Sequence, residues 1–292
     1  MREQIEYLLV KLFLGIAKIA PKSFVYAFFK MLALLLYHID SKRRALTITN
    51  LTHAFGDRSP DEIKTLSKEV YIELSKTVAE ILLMFAGRFN IDEAVVNKEE
   101  TLKQIEELTQ NSPNGIIAMT AHFSNWELLA HFLAKHGLKM LVIGREGNNK
   151  LIEDSITTPL RRKYGNDTAF KSKAMLSMVK RLKQGGNVGI LIDQKSGHQG
   201  SVKVDFFGEP AETTLSVAML KEKLDPLVVP FFAVRVGEGK YRILIETPVE
   251  YEGDETGDER LEKMTQQYNS VMESVIRDYP AQWFWVHNRW RR

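Results

Sequence analysis

Residues 115–137 read Gly115-Ile116-Ile117-Ala118-Met119-Thr120-Ala121-His122-Phe123-Ser124-Asn125-Trp126-Glu127-Leu128-Leu129-Ala130-His131-Phe132-Leu133-Ala134-Lys135-His136-Gly137. The unbroken apolar run 115–121 predicts a buried parallel strand, and the run from Leu128 predicts a helix that stops at Gly137. A strand passing directly into a helix is the repeating unit of an α/β sheet. It leaves His122 at the strand's carboxyl end, where such sheets form their ligand crevice. Two readings share the junction. Ser124-x-x-Glu127 fits a capping box, in which hydroxyl and carboxylate satisfy the orphan amides of a first helical turn. The same Glu127 stands five positions after His122, where a carboxylate can fix an imidazole tautomer and stabilise the imidazolium during general-base work. A capping box that fixes the helix start would also hold Glu127 beside His122. If a first-turn amide occupies Glu127 instead, Asp193 becomes the better residue to orient the imidazole.

Outward from this junction, strands and helices alternate. A strand is expected over 140–144, helices over 151–164 and 174–184, and a buried strand over 187–193 that ends in Asp193. A helix over 213–224 follows, then a hairpin of 227–236 with 241–249 across Gly237-Glu238-Gly239-Lys240, and a closing helix over 255–278. Upstream, Ser59-Pro60-Asp61-Glu62 starts a helix running to Phe85, and 100–108 forms another. The fold class is α/β: a mixed, mainly parallel central sheet flanked by helices. Parallel strands gather their carboxyl ends on one edge, which brings Asp193-Gln194 toward the cleft of His122.

The N-terminus has a different character. Residues 7–20 and 24–39 are nearly all apolar apart from Lys11, Lys18, Lys22 and Lys30. A spanning helix needs about 20 predominantly apolar residues, and these lysines interrupt windows of that length. The pattern suits helices lying in the membrane interface with lysines reaching toward phosphates; a buried helical hairpin is the alternative. Residues 1–45 therefore read as a membrane-associating segment and 46–292 as one catalytic domain, with no repeat or low-complexity linker dividing the latter.

Composition narrows the chemistry. The chain has 292 residues, 44% of them hydrophobic, enough to bury a full core. With no cysteine there is no thiolate nucleophile and no thiolate metal site. Gly-x-Ser-x-Gly, Gly-x-Gly-x-x-Gly and Gly-x-x-x-x-Gly-Lys are absent, against a serine hydrolase, a dinucleotide enzyme and a P-loop ATPase. Glu127 and His131 do not make a zinc motif, so no metal is expected. Net charge is only +3, yet Lys42-Arg43-Arg44, Arg161-Arg162-Lys163, the lysines of 171–183 and Arg289 to Arg292 cluster in ways that suit anionic head groups or an acidic protein. No nucleic-acid motif accompanies them.

Taken in order, these features resemble the bacterial lipid A late acyltransferases, the lauroyl and myristoyl transferases, within the glycerolipid acyltransferase group marked by His-x4-Asp/Glu. The resemblance runs through the apolar N-terminus, Asn50-Leu51-x-x-Ala54-Phe55, His122-x4-Glu127, Arg162, Asp193-Gln194, Phe206-Phe207-Gly208-x-Pro210-Ala211-x-Thr213 and Gln282-Trp283-x-Trp285-x-His287-x-Arg289-Trp290. It implies transfer of a fatty acyl chain from an acyl carrier protein or coenzyme A thioester to a hydroxyl of a membrane lipid, a lipid A precursor above all. No bound cofactor is implied. His122, Glu127 and Asp193 would be catalytic, with His122 the general base. Ser124, Asn125, Arg145, Arg161, Arg162, Gln194, Phe207, Gly208 and Thr213 would contact substrate, Arg162 through a phosphate or oxyanion. Phe206 to Gly208 and residues 213–219 would line the cleft or pack in the core. The implied location is the cytoplasmic face of a bacterial inner membrane, with carrier protein docking on the 171–183 face. Trp283, Trp285 and Trp290, with the neighbouring arginines, read as an interfacial anchor or as a cap on the core. A non-catalytic module binding anionic lipid or carrier protein is the alternative function, and a thioesterase a third.

Overall fold

The computed structural model describes residues 2–144, 147–170, 174–197 and 200–290. Six strands form the central sheet: β1 (Ile116–Thr120), β2 (Met140–Gly144), β3 (Asp167–Phe170), β4 (Asn187–Leu191), β7 (Leu227–Gly237) and β8 (Lys240–Ile245), in the order β3-β2-β4-β1-β7-β8. All neighbouring pairs are parallel except β7 with β8, so the expected mixed, mainly parallel sheet is what forms.

Alternation along the buried strands divides the core into two layers. Ile117 and Met119 of β1, Val188 and Ile190 of β4, and Phe232 and Val234 of β7 share one cluster with α4 (Pro60–Phe85), α10 (Ala174–Leu182), α11 (Ser216–Leu224) and α12 (Gly257–Asp278). Ile116, Ala118, Val229 and Phe231 face the opposite cluster, where Leu128, Leu129, Phe132 and Leu133 of α7 (Trp126–Lys135) pack with α5 (Ile91–Ala94) and α6 (Lys98–Gln110). A strand covered on both sides has no solvent face, hence the unbroken apolar run.

Two expectations are corrected. Residues 151–164 are not one helix: α8 (Lys150–Ile152), a π-helical turn (Glu153–Thr157) and α9 (Thr158–Arg161) succeed one another. Pro159 has no N–H for a regular i−4 bond, which accounts for the break. Thr213 and Thr214 are not helical but end β6 (Glu209–Thr214), which pairs antiparallel with β5 (Ser201–Phe206) in a separate hairpin. Its two-residue turn holds Phe207 and Gly208 at φ 57° and 79°. That is the mirror-image turn that suits the twist of a hairpin, and it usually carries Asn-Gly.

At the N-terminus, α1 (Arg2–Ile19) and α2 (Lys22–Ile39) lead into α3 (Ser41–Ala54). α2 packs on α4 through Val25 against Ala79 and Leu83, and the Tyr37 hydroxyl meets Ser67 at 2.9 Å. α2 is long and apolar enough to cross a membrane, with a mean hydropathy of 1.3 over 18 residues and 11% of it buried.

Candidate active site

The strand register builds the site. β1 and β4 are parallel neighbours with Thr120 opposite Leu191, so two residues beyond that pair His122 and Asp193 come level at the sheet edge. The Ile192 amide still bonds to the Thr120 carbonyl, at 3.2 Å, which holds the two loop starts together. His122 Nδ1 lies 2.9 Å from Asp193 Oδ1, and the His122 backbone amide donates to Asp193 Oδ2 at 3.0 Å. The same Oδ2 accepts the indole N–H of Trp283 at 2.9 Å. Asp193 is 1% exposed, so three donors converge on a carboxylate with almost no water.

Burial opposes the charge on both partners and their mutual attraction overrides it. Burial would lower the His122 pKa, but the Asp193 charge and hydrogen bond, with the Glu127 charge behind them, raise it above the ordinary histidine value. Burial would likewise raise Asp193, and His122 with the Trp283 donor brings it below the ordinary carboxylate value. A carboxylate at Nδ1 favours the tautomer protonated there. Nε2 is then the acceptor, and it faces the Gln194 side-chain amide nitrogen at 3.3 Å. Trp126 and Phe284 wall the imidazole with ring centroids 5.1 and 6.1 Å away.

Glu127 does not close a capping box. Asn125 is the N-cap of α7, its side-chain oxygen accepting the Leu128 amide at 3.0 Å. Glu127 pairs with Arg161, Nη2 to Oε1 at 2.7 Å, and acts on His122 through charge. Of the remaining residues read from the sequence, Arg162 caps α9 and is exposed. Arg145 lies outside the described residues, as do Lys171, Lys173, Arg291 and Arg292. Phe207 packs among Phe55, Phe206 and Trp285. The Thr213 hydroxyl oxygen accepts from Arg289 at 2.6 Å. Neither residue, nor Gly208, lines the slit beside His122.

The terminal tryptophans form a core cap rather than a membrane anchor. Trp283 and Trp285 are buried, and Asn50 donates to the carbonyls of Trp285 and His287 at 2.8 and 2.9 Å. This segment clamps the loop of His122 to Ser124: the Phe284 amide donates to the His122 carbonyl at 3.1 Å, and the Ser124 amide to the Gln282 carbonyl at 2.7 Å.

Beneath the loop lies a polar cluster not anticipated from sequence. Arg235 is bonded to Glu80 and Glu73, each at 2.8 Å, to Thr77 at 3.0 Å and to Tyr241 at 2.5 Å, and Tyr241 also donates to Glu80. Thr77 donates to the Ser124 carbonyl at 3.0 Å, and Asn125 to Glu80 at 3.2 Å. Charged residues spaced along α4 and one arginine in an apolar strand were its only signal. Among the described residues, no group of three or more His, Cys, Asp or Glu is placed to hold a metal.

A buried carboxylate–imidazole pair with Nε2 as the ring's acceptor at a sheet edge can take a proton from a hydroxyl that replaces the Gln194 amide, now 3.3 Å from that nitrogen. The family model of the bacterial lipid A biosynthesis acyltransferases matches residues 1–292. A lipid A biosynthesis acyltransferase of Haemophilus influenzae is 24% identical over 258 residues, covering 87% of this chain and 79% of the relative. The lipid A biosynthesis lauroyltransferase of Escherichia coli is 31% identical over 185 residues, covering 62% and 58%. The palmitoleoyltransferase of that organism is 25% identical over 256 residues, covering 86% and 79%. With the match running the length of the chain, and a buried carboxylate–imidazole pair at the sheet edge, the chain belongs to the bacterial lipid A biosynthesis acyltransferases and is an acyltransferase.

Proposed function

We propose that the chain transfers a fatty acyl group from a thioester of acyl carrier protein or coenzyme A to a hydroxyl of a lipid A precursor, with His122 as general base. The contact of His122 Nδ1 with Asp193 at 2.9 Å carries this reading, because it makes Nε2 the ring's acceptor, which an acceptor hydroxyl reaches by displacing the Gln194 amide at 3.3 Å. The acceptor oxygen attacks the thioester carbonyl as Nε2 takes its proton. Asp193 holds the ring and stabilises the imidazolium, and Glu127, held by Arg161, adds a second negative charge. Collapse breaks the carbon–sulfur bond, and the imidazolium returns its proton to the departing thiolate.

The relatives, a lipid A lauroyltransferase and a lipid A palmitoleoyltransferase, support lipid A as acceptor and fatty acyl chains as cargo. Residues 1–45 would dock the enzyme on the cytoplasmic face of the inner membrane, where an acceptor with buried tails reaches the site without leaving lipid. Lys180 and Lys183, at and beyond the end of α10, offer positive charge to an acidic carrier protein. Arg162, exposed at the end of α9, is the cation for an acceptor phosphate, beside Arg161, which holds Glu127.

The test uses purified protein, radiolabelled lauroyl-acyl carrier protein or lauroyl-coenzyme A, and a lipid A precursor with a free hydroxyl in detergent micelles. His122→Ala is expected to lower kcat by about 100-fold or more in folded protein, with some loss of melting temperature because the buried Asp193 loses its partner. Full activity of this variant overturns the assignment of the base.

A further inference from the structure

Ser124 sits in a conformation that a serine rarely adopts, with φ at 47°. Its backbone is fully engaged, the amide to the Gln282 carbonyl at 2.7 Å and the carbonyl to the Thr77 hydroxyl at 3.0 Å. The residue is 4% exposed, yet its Oγ is buried without a hydrogen-bond partner. Helix capping does not explain it, because Asn125 does that work. Ser124 instead lines, with His122, Trp126 and Phe284, a slit whose free volume of about 10 Å³ admits roughly one water-sized group. α7 begins at the next residue but one, so the amides of its first turn place positive potential at the same end of the loop.

We propose that the Ser124 hydroxyl is the oxyanion donor of the acyl transfer, a role that rests on the reaction proposed above. Backbone strain and an unpaired buried hydroxyl both oppose folding, and both fall on one residue two positions from the base. A single-oxygen space beside a neutral donor and a helix N-terminus suits an oxygen that becomes negative. When the acceptor oxygen forms its bond to the thioester carbon, the carbonyl π pair moves onto the carbonyl oxygen. Ser124 O–H donates to that oxyanion and keeps its own proton. When the pair re-forms the carbonyl, the carbon–sulfur bond breaks, the thiolate leaves with the bonding pair and takes the proton from His122 Nε2. The products are an ester and a free thiol, with Ser124 unchanged. Ser124 is not the nucleophile in this scheme, since its Oγ makes no hydrogen bond to the imidazole that would have to activate it.

Ser124→Ala and Ser124→Gly separate hydroxyl from backbone, because glycine takes a positive φ without strain. Both are assayed with lauroyl-coenzyme A and the lipid A precursor, and for thioester hydrolysis without acceptor. Each is expected to lower kcat by about 100-fold or more, with KM within twofold and the acid limb of the pH profile unmoved. A Ser124→Gly variant that keeps wild-type kcat overturns the proposal, since the residue then acts through its backbone. So do a change confined to KM, wild-type kcat in Ser124→Ala, or a lauroyl adduct on Ser124 found by mass spectrometry. A wild-type protein that does not acylate the lipid A precursor, with hydrolysis still lowered in both Ser124 variants, would sink the proposed acceptor while leaving the oxyanion role standing. His122→Ala tests the base separately.

Discussion

At His122 the chemistry turns on which ring nitrogen keeps its proton. Asp193 fixes Nδ1 and raises the imidazole pKa from its ordinary value, so with His122 as the proposed base activity should fall as the pH drops through that raised pKa. Asp193→Asn removes the charge and leaves burial as the dominant influence, which moves the acid limb of kcat/KM to lower pH. It also puts an amide donor against Nδ1 and favours the wrong tautomer, so the plateau should fall by about 100-fold or more. A pH–rate profile of Asp193→Asn beside Glu127→Gln checks this. A larger shift in Glu127→Gln would transfer the orienting role to that carboxylate. Much of this site was legible in sequence, because His122 and Asp193 both end apolar strands, and parallel pairing makes such ends meet. The division of labour was not. Ser124-x-x-Glu127 matches a capping box as letters, while the neighbouring Asn125 wins the cap and Arg161, thirty-four positions away, takes Glu127. No local pattern encodes that partner. The same holds for Trp283, whose indole reaches Asp193 across ninety positions of chain.

Among the elements, α4 and the β7–β8 hairpin are tied by a buried ion pair, Arg235 to Glu80 at 2.8 Å. The Arg235 side chain is 2% exposed and that of Glu80 is fully buried, so each charge depends on the other for what water would otherwise supply. Arg235→Met strands Glu80 and should cost about 3–5 kcal/mol in urea unfolding. Adding Glu80→Leu removes the stranded charge and should recover part of the loss. A single-variant loss below about 1 kcal/mol would contradict this account of the cluster. Because Thr77 and Asn125 link the cluster to the catalytic loop, its variants should slow catalysis as well as weaken the fold. Element signals from sequence were strong where the pattern is long or capped. Ser59-Pro60-Asp61-Glu62 does start α4, with the reciprocal Ser59–Glu62 hydrogen bonds in place. They were weak in the β5–β6 hairpin, where a Phe207-Gly208 turn hides among core aromatics, and at Pro159, where one residue divides a periodic segment.

For the whole molecule, the exposed apolar surface is confined largely to one end. Ile5, Leu8, Leu9, Leu12, Phe13 and Ile16 on α1, and Phe24, Met31, Leu35, Leu36 and Ile39 on α2, stand in solvent while Val25 and Tyr37 secure α2 to α4. A concentration of this kind marks an interaction surface, and the exposed Lys11, Lys18, Lys22 and Lys30 match it to an anionic lipid boundary. The surface is joined to the catalytic apparatus by a short path. Asn149 donates to the Glu3 carbonyl at 2.8 Å and to the Glu6 carboxylate at 2.9 Å, and the segment it begins carries Arg161 to Glu127. The apolar surface of α1 and the segment that carries Arg161 are therefore tied together through Asn149. Vesicle flotation separates the two components of membrane binding. Leu8→Ser, Leu12→Ser and Phe13→Ser together should abolish flotation on zwitterionic and anionic vesicles alike. Changing the four lysines to Gln should remove only the salt-sensitive part on anionic vesicles, where each lysine contributes about 1 kcal/mol. The serine substitutions leave the α2–α4 contacts intact, so thioester hydrolysis in detergent should persist in both variants. A serine triple variant that floats like the wild type would show that these helices are not the membrane contact.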